Sequence, residues 1–164
     1  MSSKLNPKLP SLSRVEATHL VLPEHTNALG TIFGGQVMLW IDTAAAICAF
    51  RHSRKMCVTA SMDTLHFISP VKLGQIVILQ ANVNCTGKTS MEIGVKVSSE
   101  DPLTGTKTHT ASAYLTFIAL NKNGIPVQVP PVSVKTKEEK EWFSKAQYRR
   151  EQRLAALDRP RQIR

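Results

Sequence analysis

After a pair of glycines, Gly34 and Gly35, the chain runs apolar at nearly every position to Phe50, interrupted only by Gln36, Asp42 and Thr43. Three successive alanines, Ala44 to Ala46, and only scattered β-branched residues make this stretch a helix former. A helix that is apolar on all sides must be covered on all sides. The remainder of the chain is therefore constrained to supply that cover.

Sheet follows. "MCVTASMDTLHF", "QIVILQANVNC", "SMEIGVKVSSE" and "THTASAYLTFIAL" are rich in Val, Ile and Thr. Several alternate at period two, as in Met91, Ile93, Val95 and Val97. The separators "SPVKLG", "TGK", "EDPLTG" and "NKNG" are turn-like. Upstream, Val15 to Leu22 reads as a first strand, closed by Pro23 and the polar turn "EHTNALG". The order predicts an α+β fold: one strand, one buried central helix, then about four consecutive antiparallel strands joined as a meander and curled round the helix. Such a sheet leaves edges and part of the helix exposed, which pairing with a second copy would cure.

A chain of 164 residues suits one domain with terminal extensions. Residues 1–13, with Pro7, Pro10 and several serines, read as a flexible lead-in. Residues 14–126 form the folded domain, and residues 127–164 an extended linker followed by a basic amphipathic helix. "TKEE" at 136–139 fits a capping box, Thr136 as cap and Glu139 three residues on. Phe143, Ala146, Leu154 and Leu157 then recur at roughly helical spacing, predicting a helix that ends near Asp158, before Pro160.

With neither a run of eighteen apolar residues nor a charged-then-apolar leader, we expect no membrane insertion and a cytoplasmic location. Cys48, Cys57 and Cys85 lack paired spacing and read as reduced thiols, and the five histidines form no ligand cluster, so neither metal nor cofactor is expected. Net charge is +9, of which +5 falls in residues 135–164. That balance favours a polyanion, but aromatics are only 5% and do not alternate with the basic residues, so no nucleic-acid partner is expected.

The single carboxylate asks for a reason. Asp42 sits about two turns inside an apolar helix, where an unpaired charge costs several kcal/mol. It either caps a neighbouring backbone amide or serves as a general base beside a cleft, its pKa lifted by desolvation. Gly34 and Gly35 open the helix, where unpaired amides at the positive end suit an oxyanion or a phosphate. Asn27 in "HTNALG" either shapes an ordinary turn or orients a water.

The string "HTNALGTIFGGQVMLWIDTAAAICA", followed by "MDTLHFISPVKLGQIV" and "GKTSMEIGVKV", resembles the hotdog-fold acyl-CoA thioesterases of the YciA and brain acyl-CoA hydrolase group (cytosolic acyl-CoA thioester hydrolases). The likeness runs from about Val15 to Ile125. It implies a long helix wrapped by a curled antiparallel sheet, and hydrolysis of an acyl-CoA to free acid and CoA. It further implies Asp42 as general base or nucleophile, Asn27 assisting it, and Gly35 with Gly34 donating N–H to the thioester oxygen. Lys88, Thr89 and Ser90 would lie near the CoA nucleotide, whose phosphates give the basic surface a partner. The site would form between chains of a homodimer, or of a trimer of dimers, with Asn27 of one chain meeting Asp42 of the other. Two other readings stay open on this scaffold: a non-catalytic acyl-CoA sensor, and a hydratase, which would need a His that no position within a turn of Asp42 supplies.

Overall fold

The computed structural model describes residues 5–157. It contains β1 (Val15–Leu20), α1 (Gly34–Ser53), β2 (Met56–Met62), β3 (His66–Phe67), β4 (Ile76–Thr86), β5 (Ser90–Glu100), β6 (Lys107–Leu120) and α2 (Lys137–Leu157), with short 3-10 turns at Pro10–Leu12 and Pro23–His25. All pairings between these strands are antiparallel, in the order β1-β4-β5-β6-β2, with β3 also on β6. The architecture is the α+β arrangement expected, a curled sheet on a long helix.

The expected meander holds only for β4-β5-β6. The strand that leaves α1 does not pair with β4, the next long strand in the chain. It crosses to the far edge and pairs with β6 (Thr59 opposite Phe117), while β1 takes the other edge beside β4. The physical reason is α1 itself: strands entering and leaving a helix that lies across a sheet emerge at opposite sides of it. The segment 56–67 also breaks in two, with a bulge between Thr59 and Ser61 and an interruption at Asp63–Leu65, so β2 and β3 meet β6 separately. The first strand stops at Leu20, two residues short of the sequence expectation.

Alternation divides the sheet into two faces. Val77, Leu79, Ala81 and Val83 of β4 share a core with Met91, Ile93, Val95 and Val97 of β5, with Ala111, Ala113, Leu115 and Phe117 of β6, and with one flank of α1. That flank is Val37, Ile41, Ala44, Ala45, Cys48 and Ala49. The other flank is uncovered. Leu39 is 59% exposed and Met38, Ile47 and Phe50 are also exposed, as are Met56 and Val58 on the adjoining edge strand β2. Within one chain the apolar helix is thus covered on one side only.

On the opposite face of the sheet lies α2. Its capping box forms as read: the Thr136 hydroxyl accepts from the Glu139 amide at 3.1 Å, and the Glu139 carboxylate accepts from the Thr136 amide at 3.0 Å. Ala146 is buried but Leu154 is 46% exposed, and the side chain of Leu157 and all of Asp158 and Pro160 lie outside the described residues. What anchors the helix is charge. Glu92, with 1% of its side chain exposed, accepts from Arg149 at 2.6 Å and from Arg153 at 2.8 Å. Arg153 also donates to Asp63 at 2.8 Å, and the Arg149 guanidinium stacks 3.6 Å from the Tyr114 ring. Gly94 makes room for this network, because a Cβ there would stand 2.5 Å from the Asn84 amide nitrogen that donates to Glu92.

The segment before β1 is held from Lys8 onward. The Lys8 ammonium donates to the carbonyls of Arg51 and His52 at the C-terminal end of α1, which Arg54 closes in the left-handed region at φ 55°. His52 is fully buried between the Ser13 hydroxyl and the Pro130 carbonyl.

Candidate active site

Gly34 and Gly35 are the first two residues of α1, preceded by Phe33, which supplies no side-chain cap. The Phe33 carbonyl takes the amides of Gln36 and Val37, at 3.0 and 3.3 Å. The two glycine amides come before the first intrahelical bond and stand at the positive end of the helix. Beside them is a cleft of about 320 Å³ lined by Ile32, Gly34, Phe67, Ile68 and Val71, with the Phe67 ring against Gly34.

The turn before the helix is built by Asn27. Its side-chain oxygen accepts from the amides of Leu29 (2.9 Å) and Thr31 (3.3 Å), and its amide nitrogen donates to the Thr31 hydroxyl at 3.1 Å. An asparagine amide has two donors. One therefore remains for a ligand, so the turn-forming and the assisting roles are compatible. Behind the turn, Trp40 stacks on His19 at 4.3 Å and takes His25 edge-on at 5.1 Å. His25 is otherwise a turn residue, its ring nitrogen accepting from the Leu22 amide. Burial, then the nearby His25, hold His19 below the ordinary imidazole value. Trp40 is a packing residue, whereas Met38 faces outward.

Asp42 is half-buried rather than sealed in the core: it opens onto the uncovered flank of α1, beside exposed Leu39 and Thr43. Its Oδ1 accepts a 2.7 Å hydrogen bond from the Thr59 hydroxyl on β2. Sequence reading missed Thr59, because a threonine in a strand of the composition "CVTAS" carries no signal by itself. Its bulge-adjacent position on the edge strand next to α1 is a tertiary fact. Asn27 and Asp42 share no hydrogen bond among the described residues. Seven residues separate Gly35 from Asp42, a rise of about 10 Å along the helix.

The other singled-out residues lie elsewhere. Lys88, Thr89 and Ser90 form the turn from β4 into β5, with Lys88 exposed. Cys48, Cys57 and Cys85 are free and buried, and burial pushes the Cys48 thiol up to about 12. Among the described residues no group of three His, Cys, Asp or Glu could hold a metal ion, and no helix is long and apolar enough to cross a membrane.

Residues 29–106 match the model of the thioesterase superfamily. The chain is 45% identical over 127 residues to YkhA, an uncharacterized acyl-CoA thioester hydrolase of Bacillus subtilis, a match covering 77% of this chain and 74% of that one. It belongs to the hotdog-fold acyl-CoA thioester hydrolases. Some relatives are longer, and the chain spans 24% of mouse acyl-coenzyme A thioesterase 11, with 39% identity over 146 residues. Among solved structures, an apo-hexameric acyl-CoA thioesterase superposes with a TM-score of 0.91 at 40% identity, covering 95% of this chain and all of that one. An acyl-CoA hydrolase of Staphylococcus aureus in complex with butyryl coenzyme A and coenzyme A gives 0.87 at 37% identity over 92% of each chain. Three further structures of the staphylococcal hydrolase replace by alanine an asparagine, an aspartate and a threonine spaced 15 and then 17 residues apart. Asn27, Asp42 and Thr59 have that spacing.

Proposed function

We propose that this hydrolase cleaves its acyl-CoA thioester with Asp42, oriented by Thr59, acting on the carbonyl carbon through a water or directly, while the Gly34 and Gly35 amides of a second copy receive the carbonyl oxygen. The observation that carries this reading is the Thr59–Asp42 hydrogen bond on the uncovered flank of α1. Thr59 holds the carboxylate in place without removing its second oxygen from a substrate. The rise along α1 supplies the rest: a reacting carbon about 3 Å from both its nucleophile and its oxyanion donors cannot serve groups about 10 Å apart on one helix. Two helices running antiparallel through a two-fold axis bring the N-terminal end of each to the middle of the other.

The exposed stripe of Leu39, Ile47 and Phe50, with the free edge of β2, is the surface such pairing would bury. A homodimer is therefore the minimal working unit, and a trimer of dimers agrees with the hexameric relative. Asn27, standing in the turn ahead of the glycines, directs its remaining N–H toward the partner's carboxylate and the attacking water. Lys88, Thr89 and Ser90 accept the nucleotide end of CoA. Three free cysteines in the core suit a cytoplasmic setting.

The test is free-thiol release from a panel of acyl-CoAs, run on the wild type, Asp42→Ala, Asn27→Ala and a mixture of the two variants after subunit exchange. Asp42→Ala is expected to abolish release and Asn27→Ala to lower it. Exchange should restore activity, because each mixed dimer regains one site intact in both residues. A mixture no more active than the sum of its components would refute the shared site. Acyl-CoA binding by the wild type without thiol release would point to the sensor instead.

A further inference from the structure

Asn27 and the two glycine amides belong to one hairpin. From His25 to Phe33 the chain doubles back: the His25 carbonyl accepts from the Phe33 amide at 2.9 Å, Thr26 pairs with Ile32, and the Thr31 carbonyl accepts from the Asn27 amide at 2.9 Å. Asn27 stands beside the tip, and the returning arm runs directly into Gly34 and Gly35. His25 is at the base of both arms. Where it is held therefore decides where the asparagine amide and the glycine amides stand.

Two contacts hold its ring. Nδ1 accepts from the Leu22 amide at 3.1 Å, which ties the hairpin to the chain leaving β1. The ring also meets Trp40 of α1 edge-on, with centroids 5.1 Å apart, and Trp40 lies flat on His19 of β1 at 4.3 Å with the planes 6° apart. Hairpin, helix and first strand are thus joined through one aromatic stack. The Leu22 bond also fixes the tautomer, because a ring nitrogen that accepts carries no proton and the neutral ring must then hold its proton on Nε2. His25 is half-buried, within reach of solvent protons. A second proton can go only to Nδ1, where it replaces the acceptor by a donor facing the Leu22 N–H.

The surroundings offer that charge little compensation. β1 presents His19, which carries the same charge when protonated and which burial, then His25, hold below the ordinary imidazole value. α1 presents Trp40, which does not titrate; Asp42, two residues on, lies about 200° round the helix. Glu24, next to His25 in the chain, is exposed to water, and Lys72 stands opposite Thr31 near the far end of the hairpin.

We propose that His25 is a positioning residue of the hydrolase: as a neutral acceptor seated on Trp40 it holds the hairpin where Asn27 and the Gly34 and Gly35 amides serve the thioester, and its protonation releases the hairpin. The inference rests on the reading that gives those groups to the substrate. It puts into the rate profile an acid limb that belongs to a side chain which never touches the thioester.

The experiment measures kcat and KM for one acyl-CoA from about pH 8 to pH 5, spanning the imidazole range, in the wild type, His25→Ala and His25→Gln. Glutamine offers the Leu22 amide an acceptor that does not titrate. At pH 8, His25→Ala is expected to lower kcat about tenfold, the worth of one hydrogen bond, with KM little changed, and His25→Gln to recover most of that loss. Ratios between the proteins cancel the titration of groups they share. As the pH falls, the wild-type kcat should approach that of His25→Ala, while the ratio of His25→Gln to His25→Ala stays level. Amide exchange of residues 22–33, read by mass spectrometry at equal pH so that intrinsic rates cancel, should open at pH 5 in the wild type and not in His25→Gln. A ratio of wild type to His25→Gln that does not change with pH overturns the inference. Together with unchanged exchange, that result faults the clasp at His25; together with exchange that opens, it faults instead the assignment of Asn27 and the glycines to the substrate. A loss in His25→Ala that falls on KM rather than kcat also overturns it. Should His25→Ala fail to fold, the wild type and His25→Gln carry the test by themselves.

Discussion

Glu92→Gln is the substitution that most directly probes how α2 is held. The glutamate side chain is 1% exposed and accepts from Arg149 Nη2 at 2.6 Å and Nε at 3.3 Å, from Arg153 Nη2 at 2.8 Å, and from Asn84 Nδ2 at 3.3 Å. Glutamine keeps the volume, loses the charge and turns an N–H₂ group toward guanidinium groups that cannot accept from it. Removing one partner of a buried ion pair costs about 3 to 5 kcal/mol. Here the arginines retain side-chain exposures of 21% and 20% and can partly rehydrate, so the lower end applies, about 3 kcal/mol. With a urea slope of about 2 kcal/mol/M, the unfolding midpoint should fall by about 1.5 M at fixed protein concentration. If undocking of α2 is cheaper than global unfolding, the loss will instead surface as faster amide exchange confined to α2, with a smaller shift of the midpoint. An unchanged midpoint together with unchanged exchange in α2 would refute the claim that charge, rather than its sparse apolar contacts, docks this helix.

Gly35→Ala separates packing from chemistry, because an added Cβ meets nothing within 4 Å in the chain. Alanine for glycine in a helix should leave stability unchanged or raise it by up to about 1 kcal/mol, so a fall in thiol release without a fall in the melting temperature would place substrate or partner against that backbone; unchanged turnover would remove Gly35 from the site. His52 supplies a pH dependence. Burial holds its pKa below 6.5, opposed by the bond to Pro130 and aided by Lys8, while Ser13 faces its other nitrogen. The unfolded chain therefore takes up the proton first, and the stability contributed by neutral His52 is complete above about pH 6.5 and lost as the pH falls below it. Urea midpoints measured from about pH 8 down to pH 5 should decline more steeply for the wild type than for His52→Gln; parallel curves would exclude the histidine as the cause.

Much of the fold was legible because each local choice has one stable partner. Alternation along 90–100 and 108–120 admits only a strand with one buried face, and a largely apolar run of fifteen residues behind a glycine pair admits only a helix that must be covered. The capping box at Thr136 and Glu139 is a local hydrogen-bond pattern and appears in the structure as written in the sequence. Asp42, Asn27 and the two glycines stood out for the same reason, since each departs from what its surroundings require.

What sequence periodicity could not supply was neighbourhood. Which strand pairs with which depends on where α1 releases the chain, so β2 joined β6 rather than β4. Thr59 became a partner of Asp42 only through that crossing, and Asp42 proved half-exposed because the sheet covers one flank of the helix and not the other. Arg149, Arg150 and Arg153 are indistinguishable as letters in a basic tail. Their different fates follow from where Glu92, Asp63 and Gly87 lie beneath them, a matter of long-range packing. Local free-energy preferences thus determined the elements and the exceptional residues by themselves. The contacts among those residues were decided by the one arrangement in which the helix, both edges of the sheet and the buried carboxylate are satisfied together.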